Sequence, residues 1–149
     1  MDQSLQKFPR ACVKIIFRCS DYILYYRTRK GIKDIPGGHI HFGETILEAL
    51  KRELDEEIGF KLKMEPQLID AWTYLSKDGL NHRVYFVYLL DVFQKIKFKS
   101  KEHPDGIEFI WLHKDEILNA DIMPQQKELF LKAVNYLKNE NNRDNFYQE

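Results

Sequence analysis

The sequence predicts an α/β protein built on a mixed β-sheet with helices over its faces, and three features carry that expectation. Short runs rich in β-branched and aromatic residues recur along the chain, a strongly periodic helical segment interrupts them near the middle, and a second such segment closes them. The length of 149 residues suits a single domain with a real core, reaching from about residue 11 to 138 and followed by a polar tail over 139–149.

Ala11 to Arg18 and Tyr22 to Thr28 read as two strands of a hairpin broken at Cys19-Ser20-Asp21. A cationic loop (Arg27, Arg29, Lys30, Lys33) then runs to Pro36-Gly37-Gly38 and a short extended piece, His39 to Phe42. Thr45-Ile-Leu-Glu48 has the form of a capping box. Leu47, Leu50, Leu54 and Ile58 make one apolar stripe, and Gly59 falls where a left-handed cap is expected, so a helix is predicted over 46–58. Gln67–Leu75, Val84–Val92 and Ile107–Leu112 read as further strands, and the alternation of Lys95–Lys101 as a strand with one basic face. Lys114–Leu118 suits a short helix, and Pro124 starts a longer one whose Leu129, Phe130, Ala133, Val134 and Leu137 share a face.

Composition narrows the function classes. The 23 basic and 23 acidic residues cancel, so no overall field draws in duplex DNA, and phosphate recognition must be local. No apolar run approaches the length of a signal peptide or a membrane span, which leads to the expectation of a soluble, cytoplasmic protein without membrane contact, a monomer or a homodimer. Cys12 and Cys19 fit neither a zinc spacing nor a disulfide framework and are read as reduced thiols.

The chemistry points to the end of the central helix. Glu53, Glu56 and Glu57 stand at i, i+3 and i+4 and share one arc of helix surface, where they repel one another and oppose the helix dipole. A divalent cation resolves that conflict, since Mg²⁺ takes hard carboxylate oxygens; a merely solvated acidic face is the competing explanation. His39 and His41 lack a third nitrogen or sulfur ligand for zinc. Trp72, Tyr74, Tyr85 and Trp111 suit either a core or a stacking surface.

Reading outward, Gly38 is followed by Glu44, Arg52-Glu53-Leu54, Glu56-Glu57 and Gly59-Phe60: nine constrained positions in 23 residues. This segment resembles the Nudix box at every fixed position. Ile23–Arg27, Ile35–Gly38 and Ile107–Leu112 with Lys114–Ile117 resemble the flanking family segments. The resemblance implies an α/β/α sandwich and hydrolysis of a nucleoside diphosphate linked to another group X. It supports Glu53, Glu56, Glu57 and the Gly38 carbonyl as ligands of Mg²⁺, or of Mn²⁺ in its place. Arg52 suits holding Glu53 or a neighbour in place, and Glu44 is implied to support this set from behind. The proton of the attacking water goes to one of the ligand glutamates, Glu53 among them, or to a further acid from a facing loop, for which Glu102 and Glu108 both qualify, with Glu102 favoured for its loop. Arg27 is a candidate phosphate clamp or an ordinary surface arginine, and Gly37, Gly38 and His39 lie on the expected substrate side.

Substrate is less legible. No proline-rich signature of many ADP-ribose hydrolases occurs near Leu68–Leu75, and no tyrosine falls at the spacing usual for diadenosine polyphosphate hydrolases. The compact chain resembles nucleoside triphosphate pyrophosphatases, so a small nucleotide is the expected substrate. Nucleotide sugars, ADP-ribose, RNA 5′ ends guided by Lys95, Lys97, Lys99 and Lys101, and a non-catalytic nucleotide-sensing role are the alternatives.

Overall fold

The computed structural model describes residues 7–137; the tail expected at 139–149 lies outside them. The elements in order are β1 (Arg10–Cys19), β2 (Tyr22–Thr28), β3 (Lys33–Asp34), β4 (Gly37–His39), α1 (Ile46–Ile58), β5 (Gln67–Leu75), β6 (His82–Asp91), β7 (Ile107–His113), a 3₁₀ turn (Lys114–Asn119) and α2 (Pro124–Asn135). The sheet is mixed, as expected: β1 runs parallel to β6, and every other pairing is antiparallel.

Strand alternation sorts the apolar residues into two cores, one on each face. Val13, Ile15 and Phe17 meet Ala49, Leu50 and Leu54 of α1, together with Leu24, Tyr88 and Leu90. Ile16, Ile23, Val87, Leu89 and Leu112 meet Leu129, Phe130 and Ala133 of α2. Helix α1 starts as its sequence indicates, with the Thr45 hydroxyl accepting the Glu48 N–H at 3.1 Å. Glu48 answers by accepting the Thr45 hydroxyl proton at 3.1 Å, where the capping-box pattern had it bonding the backbone. At the other end Gly59 takes the left-handed conformation, φ 64°.

The sheet is forked. Near the hairpin, β1 pairs with β2 (Arg18 with Ile23, Cys19 with Tyr22). Farther along the strands separate: β1 turns to β4, pairing Val13 with Gly38 and Lys14 with Gly37, while β2 turns to β3, pairing Tyr26 with Asp34. The segment from Lys33 to His39 fills the gap and is tied across it by the Ile15 N–H, which donates to the Pro36 carbonyl at 2.9 Å. Sequence reading placed one extended piece at His39–Phe42; the ladder instead holds Gly37–His39, and the two-residue β3 had no sequence signal of its own.

Lys95–Lys101 is not a strand. Its alternation is real, with Ile96 and Ser100 buried and the lysines exposed, but it packs over the α1-side core without a ladder partner. The Ile96 carbonyl accepts the Trp111 indole N–H at 3.0 Å, and the Lys101 N–H donates to the Glu57 carbonyl at 2.7 Å. Leu137, expected on the apolar face of α2, lies past the helix end and is exposed. Both cysteines are buried, and no disulfide joins them.

The sequence carries no signal for Arg18 either. Arg18, only 2% exposed, donates from Nε and Nη2 to both carboxylate oxygens of Asp91 at 2.6 and 2.8 Å. Its Nη1 donates to the Ala133 and Tyr136 carbonyls at the end of α2, at 2.8 and 2.6 Å. The guanidinium thus joins β1, β6 and the last turn of α2, whose orphan carbonyls it satisfies. Replacing Asp91 with leucine strands that charge in the core and should cost about 3–5 kcal/mol of stability, measured by denaturant unfolding.

Candidate active site

Helix α1 lies against β4, and the contact is made by a missing side chain. A Cβ on Gly38 would overlap the Glu53 carboxylate, and one on Gly37 would overlap the Val13 carbonyl and the Lys14 side chain. Gly37 also has φ 140°, a conformation that side chains rarely allow. The two glycines therefore let the fork and the helix close on each other. Glu57 accepts the Gly37 N–H at 3.3 Å.

Arg52 organises the acids around this contact. Its Nε and Nη2 donate to the two oxygens of Glu44 at 2.8 and 2.9 Å, its Nη1 to Glu53 and Glu56 at 2.9 and 3.2 Å, and its Nη2 also to the His39 carbonyl at 2.9 Å. Arg52 holds the Glu44 carboxyl down to about 2, and Glu44 in turn raises the guanidinium pKa further. Glu44 also accepts the His41 N–H at 2.7 Å, which fastens the loop leading into the helix.

Glu53 and Glu57 turn toward the fork while Glu56 faces outward, its side chain 53% exposed against 14% for Glu53. Burial pushes Glu57 up to about 7; Glu53 and Glu102 add to the rise, and Lys14 and the Gly37 N–H oppose it. Among the described residues no three acidic, histidine or cysteine side chains converge as a ready cation cluster, since Arg52 draws Glu53 and Glu56 to itself. The donor set nonetheless fits a hard divalent cation: three carboxylates and the backbone of Gly38, at a place where a side chain has no room.

The other candidates separate. Glu102 lies beside this cluster, within electrostatic reach of Glu57, in a loop tied to the helix end by the bond from Lys101. Glu108 pairs instead with Arg27 at 2.6 Å, both half-exposed. Strand alternation turns that pair to the α2 face, and neither residue bonds the α1 carboxylates among the described residues. His39 places its Nδ1 3.2 Å from the Cys12 sulfur, and burial, followed by Arg10 and Arg83, lowers its pKa.

A cavity of about 370 Å³ opens on the α2 face of the fork. Trp72 and Tyr85 line it, stacked at 4.5 Å between centroids, with Tyr74 and Phe130; Lys14, Asp34, Arg83 and Gln126 supply polar groups. Trp111, the fourth aromatic singled out in the sequence, packs on the opposite face against the α1-side core. No linear pattern marked Lys14 or Arg83, because their role as lining residues follows from strand pairing alone.

Comparison with known proteins agrees with this geometry. The family model described as the NUDIX domain matches residues 7–133. The chain belongs to the Nudix family. Among curated relatives of this Nudix chain, the nucleoside triphosphatase NudI of Escherichia coli K12 is 28% identical over 108 residues, covering 67% of this chain and 75% of the relative. Similar solved structures include the MutT Nudix hydrolase of Burkholderia pseudomallei (TM-score 0.68, 22% identity, 86% of this chain and 99% of that one). The MutT protein of Bacillus halodurans is another (TM-score 0.63, 26% identity, 81% and 79%). The Nudix assignment makes this chain a hydrolase of phosphoric anhydride bonds, and its mixed sheet between helices is the fold of those structures.

The raised pKa of Glu57 has a measurable consequence in the metal-free protein. The folded state keeps a proton that the unfolded chain releases near 4.5, so this contribution to stability is complete below pH 4.5 and is lost as pH rises through about 7. Glu57→Gln should therefore raise the metal-free melting temperature at pH 8 and leave it nearly unchanged at pH 4.5; an equal shift at both would show that Glu57 is not held neutral. Gly38→Ala should displace Glu53 and weaken Mn²⁺ binding, followed by calorimetry, by at least about tenfold.

Proposed function

We propose that the chain is a Mg²⁺-dependent pyrophosphohydrolase of small nucleotides, with nucleoside triphosphates the leading substrate class. The observation that carries this reading is the fork itself. It sets an aromatic cavity on one face and acids suited to a cation on the other, with Gly37 and Lys14 between them. A base stacked among Trp72, Tyr74 and Tyr85 would direct its phosphates toward Glu53 and Glu57.

Glu53, Glu56, Glu57 and the Gly38 carbonyl would hold the cation. When bound, it neutralises the diphosphate oxygens and polarises phosphorus. Glu102, within electrostatic reach of Glu57, is the leading choice to take the proton of the attacking water, ahead of Glu53, which Arg52 engages, and Glu108, which pairs with Arg27. Arg52 fixes the orientation of Glu53 and Glu56 and does not contact substrate. The products are a nucleoside monophosphate and phosphorylated X.

The name of NudI states that it is a nucleoside triphosphatase, and the NUDIX domain of Shewanella oneidensis NrtR was crystallised with ADP ribose. Both ligand classes belong in the test. With Mg²⁺, a panel of nucleoside di- and triphosphates, nucleotide sugars, ADP-ribose, dinucleoside polyphosphates and 5′-triphosphate RNA should show turnover chiefly of nucleoside triphosphates, read as monophosphate release by ion-exchange chromatography. Preference for RNA, lost steeply with added salt, would replace the small-nucleotide reading. Glu56→Gln should lose most turnover while its unfolding midpoint shifts little, because the side chain is exposed and its bond to Arg52 is a surface one. Chelation should leave the protein folded and inactive.

A further inference from the structure

A lysine in the middle of a sheet face is expensive unless something there needs it. Lys14 lies between Cys12 and Ile16, which are 2% and 0% exposed, and its own side chain is 12% exposed. Its stem crosses beneath Gly37, and its ammonium donates to Asp34 at 3.0 Å and to the Ile35 carbonyl at 3.2 Å. An ammonium has three donors, and among the described residues these partners take two of them. Lys14 lines the aromatic cavity, and its charge also acts on Glu57 across the fork. It lines one half of the site and acts electrostatically on the other.

Arg83 strengthens this position. It lines the same cavity from the next strand, its side chain makes one hydrogen bond among the described residues, a long one of 3.4 Å to the Tyr85 hydroxyl, and with Lys14 and Arg10 it acts electrostatically on Cys12. The cavity wall thus carries Lys14, Arg83 and Lys33 against a single lining carboxylate, Asp34, and Lys33 is paired with Asp121. The aromatic and aliphatic residues that make up most of the wall call for no such excess. A bound phosphate does.

We propose that Lys14, with Arg83 beside it, binds the phosphate adjoining the nucleoside and so aligns the diphosphate between the aromatic cavity and the α1 carboxylates. This assignment rests on the cavity being the nucleoside site. It gives Lys14 and Arg83 the clamping role that the sequence suggested for Arg27, which is paired with Glu108. A purely structural Lys14–Asp34 pair is the competing account, and it predicts no preference for phosphate.

Binding without metal separates the two. Trp72 lies in the cavity and Trp111 on the opposite face, so quenching of tryptophan fluorescence follows occupancy. Adenosine, guanosine, cytidine and uridine are compared with their 5′-monophosphates on the wild type, Lys14→Met, Arg83→Met and the double variant Lys14→Met/Asp34→Asn. The double variant removes the charge without stranding Asp34. The wild type should prefer monophosphate over nucleoside; both Lys14 variants should lose that preference by about ten- to a hundredfold, and Arg83→Met by less, with nucleoside affinity unchanged. A preference retained in the folded double variant would overturn the clamp alone. Wild-type protein that binds neither nucleosides nor monophosphates would overturn the cavity reading and the clamp with it.

Discussion

The close fit of β4 between β1 and α1, where Gly37 leaves room for the Val13 carbonyl and Lys14 and Gly38 leaves room for the Glu53 carboxylate, is the constraint on which the site depends. It sets Glu53 over one glycine and Glu57 on the N–H of the other, so acids that would spread into solvent are held against the sheet. Arg52 completes the arrangement by engaging Glu44, Glu53 and Glu56 together with the His39 carbonyl. One cation thereby ties the helix, its entry loop and β4 into a unit, and offsets repulsion among carboxylates crowded at the end where the helix dipole is also negative.

What the sequence made legible was local. The helix over 46–58 could be read to the residue because stripe, cap and terminating glycine lie within a few turns of one another, and spacing alone put the three glutamates on one arc. What it did not show depends on partners distant in the chain. Arg27 and Glu108 are one case: the pairing of β2 with β7, which no local pattern reveals, brings them together on the α2 face. Glu102 differs because its loop is bonded to the end of α1.

The segment from Lys95 to Lys101 teaches the same lesson about period. Alternation reports that one side of an extended chain is buried, and here it is; it does not report a neighbouring strand. Arg18 was invisible for a related reason. Nothing near it in sequence distinguishes it from a surface arginine, and its partners are Asp91 and two carbonyls at the end of α2. The aromatics divide likewise, Trp72 to the cavity and Trp111 to the opposite core, by the face their strands present.

The fork also explains how polar groups come to lie inside a sheet otherwise packed with aliphatic residues. Where β1 and β2 separate, β3 and β4 supply backbone to the exposed edges, and the space between admits Lys14, Tyr26, Asp34 and Glu57. These groups perturb one another: burial raises the Tyr26 hydroxyl well above its usual range, with Asp34 and Glu57 adding to the effect, while Lys14 pulls Glu57 back down. No buried side-chain nitrogen or oxygen among the described residues lacks a partner, so the interior is a satisfied network and not a packing fault. A sheet with all strands in continuous register would have kept its two faces apart. Opening it at this one point joins them, with Gly37 bonded to Glu57 on the α1 side and Lys14 lining the cavity on the α2 side.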